Sequence, residues 1–371
     1  MLRFLHAGDL HLGSSFAAFS PRVASRRRER QLASLEQLFA DATEKGAQMI
    51  LLAGDVFDSP EPDGDLAVRF FAILQKQPVP VVIAPGNHDY RRPGGFWDRA
   101  DIPDNVYVFE GNKLSCFDFP TLGAAVYGYA FTGESMASVE LGTAADRLPD
   151  RVSILLAHAD LYSPISAYAP LTAGQIGQAG FSYLALGHIH NPQEPKRIEG
   201  SLAAYSGFFA GRGFDECGEG GALMVEILPD HVSLERLSSG ADRFEKKSLD
   251  CTGALSGEEL RSRMSDYLLD LMNDPAAAET ALRLTLVGNV GISCRPDPAS
   301  LGALGERFAL FQVLDETLPI YDAGYLEKDP TMTGAFYRAM LPRLEDADAR
   351  VRTTAAAALR LGLAALAGKE V

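Results

Sequence analysis

Residues 49–58 read Met49-Ile50-Leu51-Leu52-Ala53-Gly54-Asp55-Val56-Phe57-Asp58. Met49–Leu52 is a short apolar run with the length of a buried strand, and Gly54 ends it at a turn that carries a carboxylate. The same arrangement recurs along the first half of the chain. Arg3–Ala7 is followed by Asp9 and His11, Val79–Ala84 by Asn87 and His88, Val152–Ala157 by His158, and Tyr183–Leu186 by His188 and His190. Ala124–Tyr129 predicts one further strand.

Helical patterns separate these runs. Arg26–Lys45 is one, stopped by Gly46, and Leu66–Gln75 is another, closed before Pro78. Alternating strands and helices predict a layered α/β domain. In such folds ligands bind at the carboxyl ends of the strands. Polar residues spread from position 9 to position 190 are therefore expected to meet at one edge.

Ala222–Leu228 and Val232–Leu237, joined through Pro229-Asp230, predict a closing hairpin, and Ser238–Asp242 a boundary. Beyond it Ser256-Gly-Glu-Glu259 predicts a capping box for a helix reaching Leu271. Ala281–Val287 reads as a strand, and Leu301–Phe308, Phe336–Leu344 and Ala349–Ala367 as helices, with Pro342 expected to end or kink the second early.

Composition sets limits on this reading. The 371 residues are 47% hydrophobic and 22% charged, ordinary for a globular protein of more than one domain. Cys116, Cys217, Cys251 and Cys294 form no CxxC pair, which disfavours a thiolate metal site and points to a reducing compartment. No signal peptide is visible, Thr353–Gly368 is broken by Arg360 and too short for a membrane span, and a cytoplasmic location is expected. The net charge of −15 is acidic for a protein that handles nucleic acid. The cluster Arg26, Arg27, Arg28 and Arg30 reads as a solvated helix start in preference to a phosphate contact.

The chemistry sits in five short motifs: Gly8-Asp9-Leu10-His11, Gly54-Asp55-Val56-Phe57-Asp58, Pro85-Gly86-Asn87-His88-Asp89, Leu155-Leu156-Ala157-His158 and Gly187-His188-Ile189-His190. Mixed nitrogen and oxygen donors suit Mn, Fe or Zn better than Ca or Mg. Five of the seven histidines fall inside the series; His6 and His231 lie outside it, and His6 reads as structural.

In this order the motifs resemble the signature of the calcineurin-like metallophosphoesterase superfamily. The resemblance implies a layered α/β sandwich of two central sheets flanked by helices, with a smaller C-terminal α+β accessory domain. It implies that Asp9, His11 and His190 hold one metal, that Asn87, His158 and His188 hold a second, and that Asp55 bridges them. His88 would protonate the leaving oxygen. Asp58 and Asp89 either orient a ligand histidine or cap a helix. Two divalent ions are implied, Mn first, with Fe, Zn or Mg as alternatives.

Loop wording narrows the resemblance further. Leu51–Asp58, the early His11-Leu12-Gly13, Phe181–His190 and Gly211–Glu216 followed by Gly220-Gly221 are similar to SbcD/YhaO-type DNA repair exonucleases. That branch implies a hydrolase cutting DNA beside an SMC-like ATPase, with residues 1–240 catalytic, 241–330 cap-like and 331–371 a C-terminal helical segment, and allows self-association. Arg91, Arg92 and, more weakly, Arg212 are candidate contacts to substrate phosphate. Tyr90, Phe96 and Trp97 are candidates for base stacking, a packed aromatic cluster being the commoner fate. Two other functions stay open: a phosphoesterase for nucleotides or cyclic nucleotides, and a non-catalytic DNA-binding or adaptor subunit.

Overall fold

The computed structural model describes residues 1–291, 294 and 296–368, and it divides into two compact units, Met1–Arg243 and Phe244–Val371. The first unit opens with β1 (Leu2–Ala7), α1 (Pro21–Glu44), β2 (Ile50–Leu52), α2 (Gly64–Gln75), β3 (Val81–Ile83), α3 (Phe96–Arg99) and β4 (Val106–Val108). It continues through β5 (Ser115–Phe119), β6 (Ala124–Gly128), β7 (Val152–His158), α4 (Ala173–Ala179) and β8 (Tyr183–Gly187). It closes with β9 (Lys196–Ile198), β10 (Ser201–Tyr205), β11 (Gly221–Ile227) and β12 (Val232–Ser238).

These strands build two six-stranded sheets, ordered β12-β11-β1-β2-β3-β4 and β5-β6-β7-β8-β10-β9. Strands β1 to β4 run parallel, as do β6, β7, β8 and β10, so their carboxyl ends lie along common edges. Alternation along each strand decides the layers. Leu51 of β2 and Ile154 and Leu156 of β7 share one buried cluster between the sheets, together with Leu2 and Phe4. Ile50 and Leu52 turn to the opposite side, into a core with Leu35, Leu38 and Phe39 of α1 and Phe70 and Leu74 of α2. Leu155 and Ala157 turn outward from β7 to pack with Ile176 and Ala179 of α4. The result is a helix, sheet, sheet, helix sandwich, the layered α/β architecture that the family resemblance implies.

The predicted strands and helices are present with shifted ends. Strands β4, β5, β9 and β10 are additions; β10 reads Ser-Leu-Ala-Ala-Tyr, small residues with little strand signal, yet all five are buried. Arg27 is not part of a solvated helix start. Its side chain is buried between the rings of Phe16 and Phe19 and lies 3.5 Å from Asp242, which also pairs with Arg30 at 2.7 Å.

In the second unit β13 (Arg243–Asp250), whose first residue marks the divide, joins a three-stranded sheet with β14 (Thr280–Val287) and β16 (Leu310–Asp315) after α5 (Gly257–Leu271). Short β15 (Asn289–Gly291) and β17 (Leu318–Ile320) pair in parallel. The Ser256 cap is half of the predicted box: its Oγ accepts from Glu259 N, but Glu259 accepts from Leu255 N instead of Ser256 N. The predicted helix at Leu301–Phe308 is a 3-10 segment, Pro298–Arg307, interrupted at Gly302. Helices α6 (Ala323–Leu326), α7 (Met332–Leu344) and α8 (Ala349–Leu366) enclose a small core of Leu326, Tyr337, Leu359 and Leu363. Helix α7 continues through Pro342, which lies in its last turn. Among the described residues no helix is long and apolar enough to cross a membrane.

Candidate metal centre

The loops after β1, β2 and β3 of one sheet and the ends of β7 and β8 of the other carry the motif residues to one place. Their backbone is bent sharply there. Asp9, His11, Asp55 and His188 adopt φ of 50°, 44°, 49° and 102°, a region that side chains rarely occupy. Strain of this kind costs on the order of 1–3 kcal/mol per residue and persists where surrounding structure enforces it, often at functional sites. Gly54 shows the enforcement: its φ is +84°, and an added Cβ would meet the His158 ring at 2.6–2.8 Å.

One ligand atom each from Asp9, His11, Asp55 and His190 lies within 4.8 Å of the others, and Asp9, His11 and Asp55 are buried. His11 Nδ1 is 3.0 Å from Asp58 Oδ1, and His190 Nδ1 is 2.6 Å from Glu216 Oε1. Those carboxylates favour a proton on each Nδ1, which turns both Nε2 lone pairs inward. The two Nε2 atoms stand 3.3 Å apart, with Asp55 Oδ2 3.6 Å from the first and Asp9 Oδ1 3.5 Å from the second. Acceptors facing acceptors at such range in a buried site call for a cation between them.

A second convergence lies beside it. His158 Nδ1 is 3.1 Å from the Ala53 carbonyl, which as an acceptor selects the Nδ1–H form. His158 Nε2 then faces Asn87 Oδ1 at 2.9 Å and Asp55 Oδ2 at 3.5 Å. Asp55 therefore reaches both groups. The His188 ring lies 5.3 Å from that of His158 and tilts against Tyr168 at 4.6 Å. Burial, then the proximity of His158, pushes the His188 pKa down to about 4, so this imidazole is neutral near pH 7. Burial works against a charged His190, but Glu216 and Asp9 outweigh it and raise its pKa. The field that draws a proton there would equally draw a metal ion. The donor set thus fits divalent cations with mixed nitrogen and oxygen preference.

His88 is set apart. Its backbone N–H donates to Asp55 Oδ1 at 2.9 Å, while its side chain is 42% exposed, against 0% for His11 and His158. His88 Nδ1 and His11 Nδ1 share Asp58 Oδ1, at 3.5 and 3.0 Å. Asp89 touches no histidine among its hydrogen bonds. Its carboxylate accepts from the backbone of Val56, Phe57 and Gly86, clamping the Asp55 loop to the Asn87 loop. Gly86 permits this approach, because a Cβ there would overlap Asp55 Oδ1.

The remaining candidates are placed differently. Arg91 pairs with Asp98 and Arg92 with Glu61, at 2.7 and 2.8 Å. Arg212 lies inside the site, bonded to Glu216 and Asp58. Trp97 is buried in the core with Phe57 and Phe71, Phe96 packs half-buried against the same cluster, and Tyr90 packs half-buried against the cluster around α4. His6 is buried between the Tyr183 hydroxyl and the Leu186 carbonyl, and burial lowers its pKa to about 3. Glu216 is the site residue that sequence reading passed over; its one signal was its position in the Gly-rich loop 211–216.

Residues 2–192, just over half of the chain, match the family model for calcineurin-like phosphoesterases. The metallophosphoesterase YhaO of Bacillus subtilis is 29% identical over 307 residues, covering 77% of this chain and 72% of that protein. The DNA double-strand break repair protein Mre11 of Haloferax volcanii is 26% identical over 275 residues, 73% of this chain and 59% of that protein. Its counterpart in Saccharolobus solfataricus is 27% identical over 217 residues, 56% of this chain and 54% of that protein. The chain thus spans less than two thirds of these Mre11 proteins. Among solved structures, TT1561 of Thermus thermophilus aligns with a TM-score of 0.40 and 14% identity, over 64% of this chain and 99% of that one.

Proposed function

This chain belongs to the calcineurin-like phosphoesterase family, and we propose that within it the protein is a two-metal phosphodiesterase that cuts DNA in repair, as an exonuclease. The observation that carries the metal dependence is the facing of His11 Nε2 and His190 Nε2 at 3.3 Å among carboxylates. The likeness to the Mre11 DNA repair proteins supports the choice of substrate, and the likeness to YhaO supports phosphoester chemistry. Asp9, His11 and His190 would hold one ion, Asn87, His158 and His188 the other, and Asp55 both. The donors suit Mn, Fe or Zn alike, and manganese is put first on the resemblance to the exonuclease branch, with Mg a further alternative.

Such ions supply charge at the phosphoryl oxygens and ionise a water near neutral pH. The protein's own residues do the rest. Asp55 orients His88 through the backbone N–H, and Asp58 sits beside its Nδ1. An exposed imidazole beside a buried acidic cluster can approach a bound phosphodiester and give its proton to the leaving oxygen. Arg91 and Arg92 could exchange their carboxylate partners for a DNA phosphate. In this reading residues 241–330 form a cap-like accessory domain, and 331–371 dock an SMC-like ATPase or a second copy of the chain. A chain ending near Asp348 tests the docking: it should keep activity and lose association.

One observation favours a smaller substrate. Arg91 and Arg92 are each matched by an acid, on a chain of net charge −15. The protein loaded with manganese is therefore to be incubated with labelled single- and double-stranded DNA beside bis-p-nitrophenyl phosphate and mononucleotides. The DNA reading expects nucleotide release from DNA. Turnover of the small esters alone selects the second reading, and DNA binding without any turnover selects an adaptor.

A further inference from the structure

Glu216 has a nearly closed environment, with 3% of its side chain exposed. Its Oε1 lies 2.6 Å from His190 Nδ1. A buried carboxylate in this position keeps the proton on Nδ1 and the lone pair on Nε2, and it fixes the plane of the ring. That Nε2 is the atom 3.5 Å from Asp9 and 3.3 Å from His11. Burial raises the Glu216 pKa, but the bonds from His190 and Arg212 outweigh it and bring it down to about 2.

Arg212 holds Glu216 in turn. Its Nε lies 3.1 and 3.2 Å from the two carboxylate oxygens, its Nη2 2.6 Å from Oε1, and its backbone N–H donates to Oε2 at 2.9 Å. Nη1 crosses to Asp58 Oδ1 at 3.2 Å, the oxygen shared by His11 and His88. Each guanidinium nitrogen thus faces a carboxylate. The contacts run from His190 through Glu216 and Arg212, whose Nη2 also lies 3.0 Å from His190 Nδ1, and on through Asp58 to His11 and His88. They link residues that are far apart in sequence, and a planar guanidinium is the side chain suited to span two carboxylates.

From this geometry we propose that Glu216 is the positioning residue for His190, and that Arg212 couples it through Asp58 to His11 and His88 instead of binding substrate phosphate. The inference rests on the reading of His190 as a metal ligand. Its consequence is that metal affinity depends on a loop 26 residues beyond His190.

Manganese titration calorimetry on the metal-free full chain tests it, with melting of each metal-free protein measured alongside. Glu216→Ala is expected to weaken manganese binding about 10–100-fold. Glu216→Gln, whose amide oxygen still accepts from Nδ1, is expected to recover most of that loss. If Glu216→Ala fails to fold, the double variant Arg212→Met/Glu216→Leu removes the pair without leaving a lone charge and is expected to show the same loss. Wild-type affinity in Glu216→Ala or in the double variant overturns the proposal. Equal losses in Glu216→Ala and Glu216→Gln overturn it too, because a hydrogen-bond acceptor would then not be what matters. Wild-type protein that takes up no manganese is a separate result, which sinks the metal-centre reading itself.

Discussion

The Nε2 atoms of His11 and His190 face each other at 3.3 Å, while their Nδ1 atoms are engaged by Asp58 and Glu216. Beside the buried Asp9 and Asp55 carboxylates, this pair of nitrogens forms a site that a cation stabilises. Metal should therefore stabilise the fold. Manganese at 100 times its dissociation constant is expected to add about 2.7 kcal/mol per site. Calorimetric melting with manganese and with a chelator should show the difference, and identical curves would mean that the cluster binds nothing.

His88 and Asp55 should separate chemistry from binding. His88→Ala removes the proposed acid and no proposed ligand, so turnover should fall about 10²–10⁴-fold with metal content kept. Asp55 reaches both donor groups, and Asp55→Ala should lose metal and activity together. Activity assays paired with elemental analysis of each variant decide it. Equal metal loss in the two variants would contradict the division of roles.

The backbone at the site should be intolerant of a side chain. Gly54→Ala must accept a φ of +84° and a Cβ at 2.6 Å from the His158 ring, whereas Gly94→Ala meets open space at φ +68°. The second change isolates the cost of a left-handed alanine, on the order of 1–2 kcal/mol. Gly54→Ala should cost more in denaturant melts and should weaken metal binding as well. Equal costs would show that the His158 contact is relieved easily.

The arginines separate the two substrate readings. Arg92 pairs with Glu61 on the surface, where solvent and salt screen the attraction, so Arg92→Ala should barely change the melting temperature. If Arg92 meets DNA phosphate, the salt dependence of DNA binding should flatten by about one unit of slope, with hydrolysis of bis-p-nitrophenyl phosphate unaffected. An unchanged slope removes it from the DNA path. Arg212→Ala should instead lower kcat on the small ester with KM steady, and a raised KM alone would restore Arg212 as a phosphate contact.

The frame of this site was legible because its physics is local. The short apolar run ending at Gly54 has strand length, Ile50–Leu52 is a strand buried on both faces, and the turn after it carries Asp55 to the sheet edge. The five motifs in order led to the family that residues 2–192 match. What stayed hidden depends on contacts between distant segments. The sequence leaves Phe96 and Trp97 between base stacking and a packed cluster, and Phe70 and Phe71 of α2 decide it: Trp97 is core and Phe96 packs against it. Asp89, read as either an orienting acid or a helix cap, gathers three backbone N–H groups. Glu216 shows in the sequence only as the end of a Gly-rich loop, and only the fold brings it to His190. Strand β10 is made of residues with little strand preference and is fixed by its neighbours β8 and β9.

The most direct test is where manganese goes. A crystal of the protein grown or soaked with manganese, with anomalous data collected at the manganese edge, should show two peaks about 3.5–4 Å apart, the usual two-metal separation. One should lie among Asp9, His11 and His190, the other among Asn87, His158 and His188, with Asp55 touching both. A single peak would contradict the two-metal centre, and peaks elsewhere with this cluster empty would contradict the site as a whole.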